Sequence, residues 1–220
     1  MKSLKDKMKS EVMKLFPTPV VKIPFGRDFT KKELQLFLID IPMHKVHKDR
    51  KRMLNHQSKD LYLFDGFEKE LKDIKKFCEH QLKNYLENIV GANTDLAGLR
   101  ITQSWLNKTK PGESHHLHHH TNSYLSAVLY ICCLPNDHIN LSNRSYGIYN
   151  NMEFPTKKNT IWNSMGAKVE VKEGDLIIFP SWVNHDVDVN ETKNRERISL
   201  AFNTFPIGEM GEYCGSHLKL

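Results

Sequence analysis

No stretch of this 220-residue chain approaches the ~18 uninterrupted apolar residues of a membrane-spanning helix, so a helical membrane protein is excluded. The opening run, Met1-Lys-Ser-Leu-Lys-Asp-Lys-Met-Lys, carries positive charge with no apolar stretch behind it, so no secretory signal is expected. Cysteine is scarce. The four residues Cys78, Cys132, Cys133 and Cys214 show no CxxC spacing, and adjacent Cys132 and Cys133 make a poor disulfide framework. They are expected to be reduced thiols of a cytoplasmic protein without a zinc knuckle. There is no RNP-like motif, no compact arginine stripe and no internal repeat of 20–50 residues, which leaves nucleic-acid modules and solenoids without support.

What is present suits a globular fold. Hydrophobic residues make up 39%, and 3 Trp, 7 Tyr and 11 Phe supply bulk for a core. The net charge of +6 is uneven: residues 1–100 hold 21 Lys and Arg against 14 Asp and Glu, and the rest is nearly neutral. Scattered as they are, these lysines read first as solvated helix faces and only second as a surface for an acidic partner.

Residues 1–15 place Leu4, Met8, Val12 and Leu15 at helical spacing, predicting a short basic amphipathic helix. Prolines break it at 17–24, where Val20, Val21 and Ile23 suit an edge strand. Thr30-Lys-Lys-Glu is a capping box that opens a helix. A polar stretch at 44–59 reads as a loop, and 67–90 as one long helix ended by Gly91. From about Leu96 the pattern changes to short strands near 99–106, 124–133, 146–149, 160–162, 168–171, 175–179 and 197–205. The expected fold class is mainly β with α: a β-sandwich or barrel, with N-terminal helices packed on one face. The division is a helical region over 1–95, a core over 96–206 and a tail over 207–220.

Five of the twelve histidines fall in Ser114-His-His-Leu-His-His-His-Thr. In an extended segment His116, His118 and His120 would share one face, with His115 and His119 on the other. Imidazoles two apart on a strand can reach one metal, so His118-x-His120 is a candidate chelate. Gly174-Asp-Leu-Ile-Ile-Phe-Pro-Ser-Trp-Val-Asn-His185 is a turn, an apolar strand and a second turn that delivers a third histidine. In Arg197-Ile-Ser-Leu-Ala-Phe-Asn, alternation puts Arg197, Ser199, Ala201 and Asn203 on one face. An inward-facing arginine needs a carboxylate, from the protein or from a ligand.

These motifs resemble the 2-oxoglutarate- and Fe(II)-dependent oxygenases, which fold as a double-stranded β-helix, or jelly roll. The segments Leu15-Phe-Pro-Thr-Pro, His118-His-His-Thr-Asn-Ser, Leu125-Ser-Ala-Val-Leu-Tyr, Gly174-Asp-Leu-Ile-Ile-Phe-Pro-Ser and Arg197-Ile-Ser-Leu-Ala-Phe-Asn are similar to a branch found in marine bacteria and their phages. The resemblance is strong over about 100–206.

It implies that His118, His120 and His185 are the Fe(II) ligands and catalytic residues. It further implies that Arg197, assisted by Ser199 and Tyr130, holds the far carboxylate of 2-oxoglutarate. Asn107, Ser126 and Asn203 are further candidates around the cosubstrate. It implies a dioxygenase that consumes 2-oxoglutarate and dioxygen, releases succinate and carbon dioxide, and hydroxylates a C–H bond. The primary substrate, whether protein, small molecule or nucleic acid, and the oligomeric state are not legible. Most relatives carry Asp or Glu where this chain has His120, so the usual two-histidine, one-carboxylate triad becomes three imidazoles. Asp186 is expected to point away from the neighbouring His185, and neither it nor Asp188 is read as the missing ligand.

Two alternatives remain at this point. A three-histidine cupin would share the barrel and the spacing Gly112-(five residues)-His118-x-His120, but cupins usually place a Glu soon afterwards and 122–130 contains no acid. A jelly-roll binding module without catalysis is the other.

Overall fold

A computed structural model describes residues 13, 16–46, 54–142, 155–158, 160, 163–164, 166–211 and 215–220. The expected helix at 1–15, the strand at 146–149 and most of that at 160–162 lie outside the described residues.

Two sheets face each other. The larger has the order β1-β9-β6-β11-β4-β3-β2, built from Val21–Pro24, Asp175–Pro180, Leu125–Cys132, Arg197–Met210, Ala97–Thr109, His56–Ser58 and Met43–Lys45, with β12 (Leu218–Lys219) folding back on β11. The smaller has the order β5-β10-β7-β8, from His115–His118, Asn184–Val187, His138–Ser142 and Gly166–Glu170. All named strand pairs are antiparallel. As expected, β1 sits at a sheet edge, where a proline such as Pro24 is tolerated.

Alternation divides the strands of the large sheet between two cores. Leu106, Leu125, Ala127, Leu129, Leu176, Ile178, Ile198, Leu200 and Phe202 face the helices. Tyr130, Ile177 and Phe179 face the small sheet, where they meet Ile139, Leu141, Val171 and Val183. This is the mainly-β double-stranded β-helix with helices on one face.

Helix α1 (Lys31–Gln35) starts at the predicted cap: Thr30 Oγ1 accepts from Glu33 N at 3.2 Å, and the Glu33 carboxylate accepts from Thr30 N at 2.7 Å. The long predicted helix begins later than Phe67. A short α2 (Leu63–Gly66) and a turn over 67–70 come first, followed by α3 (Lys72–Tyr85). Ile74, Cys78, Leu82 and Tyr85 form its buried stripe, and a π-helical turn carries the chain to Gly91, whose φ of 72° ends it.

The expected loop at 44–59 is corrected. Its two ends form the β2–β3 hairpin, and β3 joins the sheet through His56↔Lys108 and Gln57↔Asn107. This is an edge hairpin of mostly polar residues, so it carries no apolar alternation to signal a strand. Strand β7 lies in a region expected to be loop, and β11 continues to Met210, past the predicted end at Phe205.

Candidate metal centre

The three histidines reach one point by two routes. On the small sheet, His118 of β5 stands directly opposite His185 of β10. His120 follows the end of β5, where its backbone N–H donates to the Ser181 carbonyl at 3.0 Å. Ser181 opens the turn after Pro180 that leads into β10, so one turn positions both His120 and His185. Among the described residues the group able to hold a metal is His118, His120 and His185, with candidate donor atoms all within 4.8 Å of one another.

Hydrogen bonds select which ring nitrogen is left with a lone pair able to bind a metal. His118 Nδ1 lies 2.7 Å from the His116 carbonyl, and His185 Nδ1 lies 3.1 Å from the Val183 carbonyl. A carbonyl only accepts, so each Nδ1 carries the proton and each Nε2 keeps its lone pair. Burial holds all three imidazoles neutral and mutual repulsion adds to it: His185 is pushed down to about 3, His120 to about 4, and His118 is also lowered. Phe179 meets the His185 ring edge-on, with centroids 4.8 Å apart, and shields it from water.

Strict alternation fails for His115. On β5, two residues separate His118 from His115, whereas on β10 a single residue separates their partners His185 and Val187. That bulge turns His115 to the same side as His118, with ring centroids 4.5 Å apart. His116 is more exposed and supplies the carbonyl that orients His118. Neither nearby acid replaces the missing carboxylate, as expected. Asp186 accepts from Asn140 Nδ2 at 2.6 Å, and Asp188 pairs with Lys168 and His138, each at 2.8 Å.

All six predicted site residues line one cavity between the sheets, with His118, His120 and His185 joined there by Tyr130, Arg197 and Ser199. The register explains this, since Ser199 lies opposite Tyr130 on β6 and opposite Asn107 on β4. Asn107 and Ser126 line the same cavity. Asn203 adjoins it, taking a hydrogen bond from Ser126 Oγ at 2.8 Å. Trp105 contributes to the wall, while Trp182 is 54% exposed and Trp162 lies outside the described residues.

The sequence did not reveal Arg197's protein partner. Asp137 takes Arg197 Nε at 2.8 Å and Nη2 in a second, short contact, and both residues are buried. The protein thus supplies the carboxylate from inside the molecule. The remaining nitrogen, Nη1, is buried without a hydrogen-bond partner among the described residues. The available signal was weak: Pro135-Asn-Asp137 reads as a turn, and only the demand of a buried guanidinium points to its acid.

The fold and this donor set describe a double-stranded β-helix whose one cavity is lined by a candidate metal-binding group and a buried arginine. Residues 103–203 match the model of the family described as "Putative 2OG-Fe(II) oxygenase". That span holds every candidate ligand, so the similarity to this family falls on the core that carries the site. No curated protein matches the chain.

Solved structures share the fold at low identity. A 2OG-Fe(II) oxygenase family oxidoreductase from Burkholderia pseudomallei superposes with a TM-score of 0.53 at 12% identity, covering 84% of each chain. The non-heme alpha ketoglutarate dependent epimerase SnoN of nogalamycin biosynthesis gives 0.56 at 11%, covering 87% of this chain and 81% of that one. HygX from Streptomyces hygroscopicus, solved with nickel and 2-oxoglutarate bound, gives 0.53 at 13%, covering 86% and 83%.

Proposed function

We propose that His118, His120 and His185 hold Fe(II), and that Arg197, with Ser199 and Tyr130, anchors 2-oxoglutarate for the hydroxylation of a C–H bond. One observation carries this assignment. A single cavity is lined both by three neutral imidazoles whose donor atoms converge and by a buried guanidinium with an unpaired Nη1. The donor set fits the metal, since neutral imidazole suits iron. The unpaired Nη1 fits a carboxylate, which would complete its hydrogen bonding.

When bound, Fe(II) with dioxygen supplies the oxidation: one oxygen atom enters succinate, formed from 2-oxoglutarate with loss of carbon dioxide, and the other converts C–H to C–OH. The protein's own groups bind and orient. Three neutral ligands would leave the double positive charge of a bound Fe(II) uncompensated, and a dianionic cosubstrate would bring the site to neutrality; a carboxylate ligand would leave it one unit negative. Asp137 fixes the guanidinium plane. Phe179, Ile139 and Val187 give the cavity part of its apolar wall.

No described helix is long and apolar enough to cross a membrane. The unpaired thiols of Cys78, Cys132 and Cys133 support a reducing, cytoplasmic setting.

Release of succinate from 2-oxoglutarate in the presence of Fe(II) tests the assignment. Turnover should vanish in His185→Ala and weaken in Arg197→Lys. Unchanged turnover in both variants would refute it.

A further inference from the structure

A second cavity, of about 290 Å³, shares Trp105, Asn107, His115, His118 and His120 with the first. Its remaining walls include none of the residues assigned to the metal, nor Arg197, Ser199 or Tyr130. They present an unusual chemistry: five carboxamides, those of Asn55, Gln57, Gln103, Asn107 and Asn203, and no Asp, Glu, Lys or Arg among the described residues. Sheet register gathers them. Gln103, Trp105 and Asn107 alternate on one face of β4, Asn203 lies opposite Gln103, and Gln57 lies opposite Asn107.

These amides are not saturated by the protein. Asn55 is fully buried; its nitrogen donates to the His56 carbonyl at 3.3 Å and to Asn107 Oδ1 at 3.1 Å, but its Oδ1 has no partner. Buried acceptors are rarely left so, and each exception calls for a donor. Asn203 has its oxygen engaged by Ser126, which leaves its amide nitrogen available.

We infer that this cleft binds the primary substrate, and that the part bound there is an uncharged, hydroxyl-rich unit of the size of one sugar ring. The inference rests on the adjacent histidines being the metal centre. A carboxamide offers a donor and an acceptor side by side, and a hydroxyl answers both. A phosphate or carboxylate would lose its hydration against these walls and gain no counter-charge. Trp105 gives the C–H face of a ring an apolar surface. The volume lies near the lower end of small-molecule sites, typically ~300–1,000 Å³, which suits one ring better than a polymer segment. The basic link 47–53 lies outside the described residues.

The test uses the full chain loaded with Ni(II) and the unreactive cosubstrate mimic N-oxalylglycine, with binding followed by saturation-transfer NMR and calorimetry. The neutral probes are methyl glucoside and myo-inositol; the charged ones are glucuronate, glucose 6-phosphate and glucosamine. Neutral probes should bind, and charged ones roughly ten-fold more weakly or not at all. Gln57→Leu and Gln103→Leu should each weaken the neutral probes by roughly three- to ten-fold, one hydrogen bond's worth, and leave the thermal shift given by N-oxalylglycine unchanged.

Tighter binding of a charged probe, no binding of any neutral one, or undiminished binding in both Leu variants would overturn the inference. Loss of the N-oxalylglycine shift in the unsubstituted chain would instead overturn the metal-centre assignment. Repeating the probe titrations on the metal-free chain separates the two failures.

Discussion

Removing the Asp137 carboxylate isolates the cost of holding Arg197 inside the molecule. Both residues are at least 95% buried, and the pair is bidentate. Asp137→Ala strands a guanidinium in a low-dielectric interior with its remaining N–H groups unpaired. Breaking one side of such a pair costs about 3–5 kcal/mol. For a chain of this size, about 2–4 °C of melting temperature accompanies each kcal/mol, so a fall of roughly 10 °C is expected.

Two further measurements make the reasoning specific. Asp137→Ala combined with Arg197→Met removes both charges and should recover most of the loss, because an apolar pair of similar volume is tolerated. In Asp137→Ala, 2-oxoglutarate with Ni(II) should raise the melting temperature more than in the parent, because the ligand's carboxylate then supplies the missing counter-charge. Calorimetric melts with and without ligand measure all of this. A single variant within about 1 kcal/mol of the parent, or a double variant no better than the single, would show that the guanidinium is not held by this pair.

Further outcomes can be checked. His120→Asp should keep metal binding and weaken 2-oxoglutarate binding in a spectroscopic titration, since the site with cosubstrate becomes one unit more negative; equal affinity would refute the charge argument. Metal-free stability should fall as pH drops below about 6.5 toward 3. The unfolded chain takes up protons on His120 and His185 in that window while the folded chain refuses them, at about 1.4 kcal/mol per pH unit per histidine as an upper bound. Denaturation midpoints that stay level between pH 7.5 and 5 would contradict it. Thr30→Ala should cost about 1 kcal/mol by chemical denaturation through loss of the capping box. Leu82→Ala, in the buried stripe of α3, should cost about 2–5 kcal/mol.

Local periodicity was enough to place much of this molecule. The alternation of Arg197, Ser199 and Asn203 against Ile198, Leu200 and Phe202 assigned the first half of β11 to its two faces, because a strand buried on both faces has no other way to point them. The capping residues of α1, the stripe of α3 and the Gly91 stop are likewise local chemistry. Histidine spacing and the turn before His185 singled out the three imidazoles, and Ile139 and Leu141 alternate in β7 over too short a run to mark a strand locally.

Tertiary structure decided what depends on partners distant in sequence. Asp137 meets Arg197 across 60 residues, and no local pattern marks that pair. The bulge that turns His115 inward exists only because β5 and β10 pair with unequal spacing. The β2–β3 hairpin, polar because it helps to wall a polar cleft, is a strand pair only in the presence of β4. Sequence alone determined which side chains were able to do chemistry; packing of the two sheets decided which of them share one cavity, because convergence is a property of register and closure and not of composition.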